Sequence, residues 1–274
     1  MRILYNFLQV AVLAAAFLFS KIVFAQSPDS RIYTFGVVPQ QASVKLARLW
    51  VPVIQHLSRE TGLNIEFATA PTIPEFEERL AAGAYDFAYM NPYHFILFNE
   101  QLGYTAISRQ NNHVIHGIIV VSSDLGIESL EELAGKNIAF PAPNAFAATL
   151  ITRAFLDKMA PGYTATFVKS HDSVYQSVAN GLFSAGGGII RTLNEASPEL
   201  QRSLEVLWMS PGYTSHAFAA HPGVPESIRA AVQKGLTMMS SSEEGVSLLR
   251  TLGMNGLQAA IDSDWDDVRA LGIK

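Results

Sequence analysis

The chain has 274 residues, 49% of them hydrophobic, and a formal net charge of −5. That length suits one large or two medium domains, and the acidic balance argues against a nucleic-acid partner, which requires basic patches. The chain has no cysteine, which excludes a disulfide, a thiol nucleophile, a cysteine metal site and a lipid-modified N-terminal Cys.

The first 25 residues read as a secretory signal peptide. Arg2 precedes an apolar run over residues 8–19, and Val23 and Ala25 place small residues for cleavage after position 25. The run is shorter than the roughly 20 residues that span a bilayer, and Lys21 interrupts it. The exported chain is then more acidic still and relies on its core without disulfides, which fits a bacterial periplasm.

Strand-like and helix-like segments alternate from there. Residues 33–38 (YTFGVV) form a buried strand stopped by Pro39. Leu46, Leu49, Trp50, Val53, Ile54 and Leu57 recur at helical spacing over 43–61, and Gly62 closes that helix. A strand over 64–68 follows, then a helix capped by Thr72 with Pro74 in its first turn, then a strand over 86–90. Asn91-Pro92 gives an N-cap with Pro behind it. Residues 114–121 read as one long β-branched strand, and Ser129 with Glu132 fits a capping box. Strands are expected at 137–140, 164–168, 186–190, 206–209 and 218–220, and helices after Ser170 and Ser197. The tail from Pro225 is helical, over 225–239, over 242–252 and in a last turn from Asp264.

This alternation means βαβ units and mainly parallel sheets. The stretches 112–120 and 211–218 can each carry the chain between lobes. We therefore expect one lobe from 31–117 and 214–274, a second from 118–213, and a cleft between them.

The residues with chemistry lie where strands end, which is where open α/β sheets hold ligands. Gln40 and Gln41 follow the first strand. Tyr89, Asn91, Tyr93 and His94 sit where a strand gives way to a helix. His171, next to the cap Ser170, is placed to donate to an oxyanion and to strengthen as it protonates. Arg191 follows the Gly186-Gly187-Gly188 strand as a fork for an oxyanion or carboxylate, or else as the partner of a local Glu. Ser170-His171-Asp172 is no triad, because adjacent residues do not converge on one point, and no G-x-S-x-G elbow is present. His113 and His116 fall on opposite faces of a strand. Asp262, Asp264, Asp266 and Asp267 lack the Gly and final Glu of a calcium loop, so no metal and no cofactor is expected.

Residues 83–88 (GAYDFA), 169–172 (KSHD) and 179–181 (ANG), in order behind the first strand and long helix, resemble the phosphonate-binding periplasmic proteins of ABC importers. The resemblance implies a type II periplasmic binding protein fold: two α/β lobes, mixed mainly parallel sheets flanked by helices, and a solute clamped in the cleft. In that family the turn at 141–149 usually presents a Ser-Thr-Ser-Gly type run to the phosphonate oxygens. Here it reads Ala145-Phe146-Ala147-Ala148, so only main-chain donors and an apolar wall remain. Aminophosphonate binders place an Asp for the amine soon after the Ala-Asn-Gly segment, and here that position is Ser184.

The expected function is therefore a periplasmic solute-binding protein, not an enzyme, that delivers a small anion to an ABC importer permease. The expected ligand set is Gln40, Gln41, Tyr89, Asn91, Tyr93 and His94 from one lobe, with Asn144, Phe146, His171, Tyr175 and Arg191 from the other. Arg191 would carry the fixed positive charge. The chain is expected to act as a monomer. One alternative is a ligand sensor that docks on a histidine kinase; a periplasmic hydrolase is a more distant one.

Overall fold

The computed structural model describes residues 31–273. The expected signal peptide, 1–25, lies outside the described residues.

The first sheet opens with β1 (Ile32–Val37), followed by α1 (Ser43–Thr61). The helix buries Leu46, Trp50, Val53, Ile54 and Leu57, the stripe that its spacing predicts. It ends at Gly62, whose φ of 69° lets its N–H reach back to the Ser58 carbonyl. Then come β2 (Asn64–Ala68), α2 (Ile73–Ala81), β3 (Phe87–Met90), α3 (Pro92–Leu102) and β4 (Thr105–Gln110). Thr72 and Asn91 cap α2 and α3 by accepting from the N–H groups of Glu75 and His94.

The chain next makes the short β5 (Val114–Ile115) and enters a second sheet as β6 (Gly117–Ser122). The single strand expected over 114–121 is thus two. It breaks at His116, whose Nδ1 donates to the Ser210 carbonyl at 2.8 Å. The second sheet adds β7 (Asn137–Phe140), β8 (Thr164–Phe167), β9 (Ala185–Ile189) and β10 (Leu204–Met209). Its helices are α4 (Thr152–Met159), α5 (His171–Ala179), α6 (Ile190–Asn194) and α7 (Pro198–Arg202). The capping box expected at Ser129 is half formed: Glu132 accepts from the Ser129 N–H ahead of a short 3-10 turn.

The chain returns through β11 (Tyr213–Thr214), which pairs antiparallel with β5. It then inserts β12 (Ala217–Ala220) between β3 and β4, antiparallel to both. The helices α8 (Glu226–Met238) and α9 (Glu243–Thr251), the strand β13 (Leu257–Ala259), a 3-10 turn (Asp262–Trp265) and α10 (Asp266–Arg269) complete it.

The first sheet runs β13-β4-β12-β3-β1-β2, and the second β10-β6-β9-β7-β8. Within them β1, β2 and β3 are parallel, as are β7, β8 and β9. The return strand β12, the edge strands β10 and β13, and the β6–β9 pair are antiparallel. The last turn grips the β5–β11 ribbon: the Thr214 N–H donates to Asp267 at 2.7 Å, and the buried Trp265 indole donates to the Ser215 carbonyl at 2.8 Å. Among the described residues no helix is long and apolar enough to cross a membrane.

Candidate functional site

The carboxyl ends of parallel strands from both sheets meet at one place. Gln40 follows β1, Asn91 follows β3, the 141–149 turn follows β7, and Arg191 follows β9. Bonds join the two sides there. The His171 N–H donates to the Gln40 carbonyl at 3.0 Å, and Asn91 Nδ2 donates to the Asn144 carbonyl at 3.1 Å.

Gln40 is the hub. Its Oε1 accepts from the Arg191 guanidinium, so its amide nitrogen faces His216 Nε2 at 3.1 Å. A nitrogen that accepts from an amide carries no proton, so the His216 proton sits on Nδ1. Burial holds the His216 ring well below its ordinary pKa, and the nearby Arg191 charge adds to this. Tyr89 stacks on His216 with ring centres 4.9 Å apart, and the Arg191 guanidinium lies 6.0 Å from the Tyr89 ring centre. Arg191 also faces Glu195 at 3.7 Å, the local carboxylate that its spacing allowed.

His171 is fully buried, and its Nδ1 lies 3.1 Å from the Thr192 hydroxyl. Burial, with Arg191 second, pulls its pKa down to about 3. It therefore stays neutral near pH 7 and does not strengthen by protonating, contrary to the sequence expectation. Tyr175 stands behind it in the core of the second sheet. Its hydroxyl bonds the Ile189 main chain and Thr192, at 2.8 to 3.1 Å.

The 141–149 turn answers to its composition. Residues Phe146–Ile151 form a π-type turn, with the Leu150 N–H reaching the Ala145 carbonyl. Phe146 is fully buried, edge-on to Tyr213 at 5.8 Å, and it packs with Ala145, Ala147 and Ala148 into the core of the first sheet. The space left between Phe146, Gln40, Asn91, His171 and His216 is about 10 Å³. The glycines of β9 permit this packing: a Cβ at Gly187 would lie 2.0 Å from the Ala148 carbonyl oxygen.

The remaining candidates divide. His94 is buried against Glu77, to which its Nε2 donates at 2.8 Å, and Asn144 Nδ2 donates to the same carboxylate at 3.1 Å. Gln41 is buried with its amide nitrogen unpartnered among the described residues. Tyr93 lines a different surface hollow with Glu100 and Arg269, away from the others.

A cavity of about 560 Å³ opens beside Arg191 and Tyr89. His113, His116, Ser215 and His216 line it, with Asn194, Arg250 and Thr251. The break at His116 corrects the opposite-face expectation, since both histidines border one space. His216 and Ser215 escaped the sequence reading; the one signal was a polar pair between Pro211-Gly212 and the apolar β12. Among the described residues no group of three or more His, Asp or Glu could hold a metal ion.

Two α/β sheets joined by two crossings, with their strand ends facing one cleft, define a type II periplasmic binding protein fold. The comparisons agree. Residues 35–265 match the family model described as ABC transporter, phosphonate, periplasmic substrate-binding protein. The chain belongs to that family, whose members bind substrate for transport rather than catalyse, and whose place is the periplasm. It is 22% identical over 268 residues to the phosphate-import protein PhnD of Mycolicibacterium smegmatis, covering 86% of this chain and 83% of that one. Its fold is similar to a binding protein component of an ABC phosphonate transporter from Pseudomonas aeruginosa (TM-score 0.81, 17% identity, 89% of this chain and 86% of that one). It is also similar to PhnD1 from Prochlorococcus marinus in complex with methylphosphonate (TM-score 0.80, 16% identity, 88% and 97%).

Proposed function

We propose that the chain captures a small anion between two lobes, one built on each sheet, and presents it to an ABC importer at the inner membrane. The observation that carries this is Arg191. It is a largely buried guanidinium at the end of β9, held by Gln40 from the end of β1 and backed by two neutral histidines. A guanidinium has five donors; Gln40 takes one and Glu195 faces it at 3.7 Å, too long for a hydrogen bond, which leaves donors for an acidic group. Gln40, Tyr89, Asn91, Phe146 and His171 shape its surroundings. His94, Asn144 and Tyr175 act behind them. Export with cleavage after Ala25, and action as a monomer without catalysis, belong to the same reading.

Calorimetric titration tests it. Phosphate, phosphite, alkylphosphonates and small organic acids are titrated into the wild type and Arg191→Ala. An anion should bind the wild type, and the variant should lose about 2 kcal/mol, roughly thirtyfold in Kd. Equal affinity in the variant rejects the role of Arg191, and turnover of any titrant rejects a purely binding function.

A further inference from the structure

The two ends of the cleft differ in room. Beside the 141–149 turn about 10 Å³ remains, whereas beside Arg191 the cavity holds about 560 Å³. A water occupies about 30 Å³ of liquid, so a five-atom oxyanion needs roughly three times that, far less than the cavity. Pockets of this larger size ordinarily enclose organic molecules of many atoms.

The walls state what such a molecule would meet. One side is apolar: Ile115, Ile189 and Ile190 beside the Tyr89–His216 stack. The other is polar, and the net charge of Arg191, Arg250 and Glu195 is positive. A second, independent mark is Ser215. Its side chain is only 3% exposed, it lines the cavity, and its hydroxyl has no partner among the described residues. An unpartnered buried hydroxyl costs stability unless something bonds it. His116 commits Nδ1 to the Ser210 carbonyl, which leaves Nε2 for another partner.

We propose that the solute is an organic acid with a ring-sized body, a substituted phosphonate or carboxylate rather than a bare oxyanion or methylphosphonate. Its acidic group meets Arg191. Its body fills the cavity along the Tyr89–His216 stack, and a polar substituent reaches the Ser215 hydroxyl. This rests on the anion-binding reading above and narrows it to one class of substrate.

The test titrates the full chain with phenylphosphonate, benzoate, methylphosphonate and inorganic phosphate, alongside Arg191→Ala and Thr251→Trp. Thr251 is exposed at the end of α9 and borders the cavity, so a Trp there narrows the space while Arg191 itself is kept. Circular dichroism checks that the variant folds. The expected result is that at least one ring-bearing acid binds about tenfold more tightly than methylphosphonate, and that Thr251→Trp removes this preference. The two ring-bearing arms separate phosphonate from carboxylate. If methylphosphonate or phosphate binds as tightly and needs Arg191, this inference is overturned while the anion-binding function stands. If none of the four binds, the function itself falls, and the inference with it.

Discussion

The two ends of the cleft are made from the same kind of element, a strand running into a helix, and come out opposite in character. After β7 the chain supplies Ala145, Phe146, Ala147 and Ala148, which pack into the core of the neighbouring sheet. After β9 it supplies Arg191, which stays at the border of an open cavity. Position at a strand end thus offers main-chain donors in both places, but the side chains decide whether the place becomes wall or room.

The comparison breaks most sharply at Phe146. If that end is a wall, Phe146→Ala should cost about 3–5 kcal/mol, as other buried aromatic truncations do. Urea unfolding reads this directly, and a loss under 1 kcal/mol, roughly the scale of a surface change, would mean the ring is not packed as described.

Acid probes the other end. His171 has a folded pKa of about 3 against an ordinary 6.5, and His216 is also lowered. The unfolded chain therefore takes up protons that the folded chain refuses. Stability is intact above pH 6.5 and falls as the pH drops toward 3, by up to about 1.4 kcal/mol per pH unit for each ring. Denaturation at stepped pH should show this slope, and His171→Gln should flatten it by about one proton. An unchanged slope would mean that His171 ionises freely.

The smallest effect is expected at Tyr175. Removing its hydroxyl in Tyr175→Phe leaves the Ile189 N–H and Thr192 with fewer partners. We expect a loss of about 1–2 kcal/mol in stability, with little change in ligand affinity beyond that. A large loss of affinity at unchanged stability would place Tyr175 in contact with solute.

Much of this architecture is legible in the residues themselves. The caps at Thr72, Asn91, Ser170 and Ser197 each accept the bond that their position predicts. In the Gly-rich strand, Gly187 is explained by the close passage of the turn carbonyl, and Gly186 and Gly188 by Val174 and Tyr175 of α5. What escapes reading has physical causes. β4 buries Ser108 and Gln110 as well as Ile107, so no apolar alternation marks it. β13 has only three residues. The π-type turn has no periodic signature. The site suffers most, because its partners are remote: Gln40 and His216 are 176 positions apart. Strand-end position found Gln40 and Arg191, but could not tell that Tyr93 would face a different hollow.

The grip of the last turn on Thr214 and Ser215 carries a consequence for the cavity wall. The cavity wall at Ser215 and His216 is held by Trp265 and Asp267, near the carboxyl terminus. The same Trp265 ring is fully buried in the core of the first sheet, 4.5 Å from Phe95 between ring centres, so the anchor of that wall is itself a core residue. The cavity beside Arg191 is thus tied to the core of the first sheet through one indole, so a change that loosens Trp265 would be felt in that wall and in stability together.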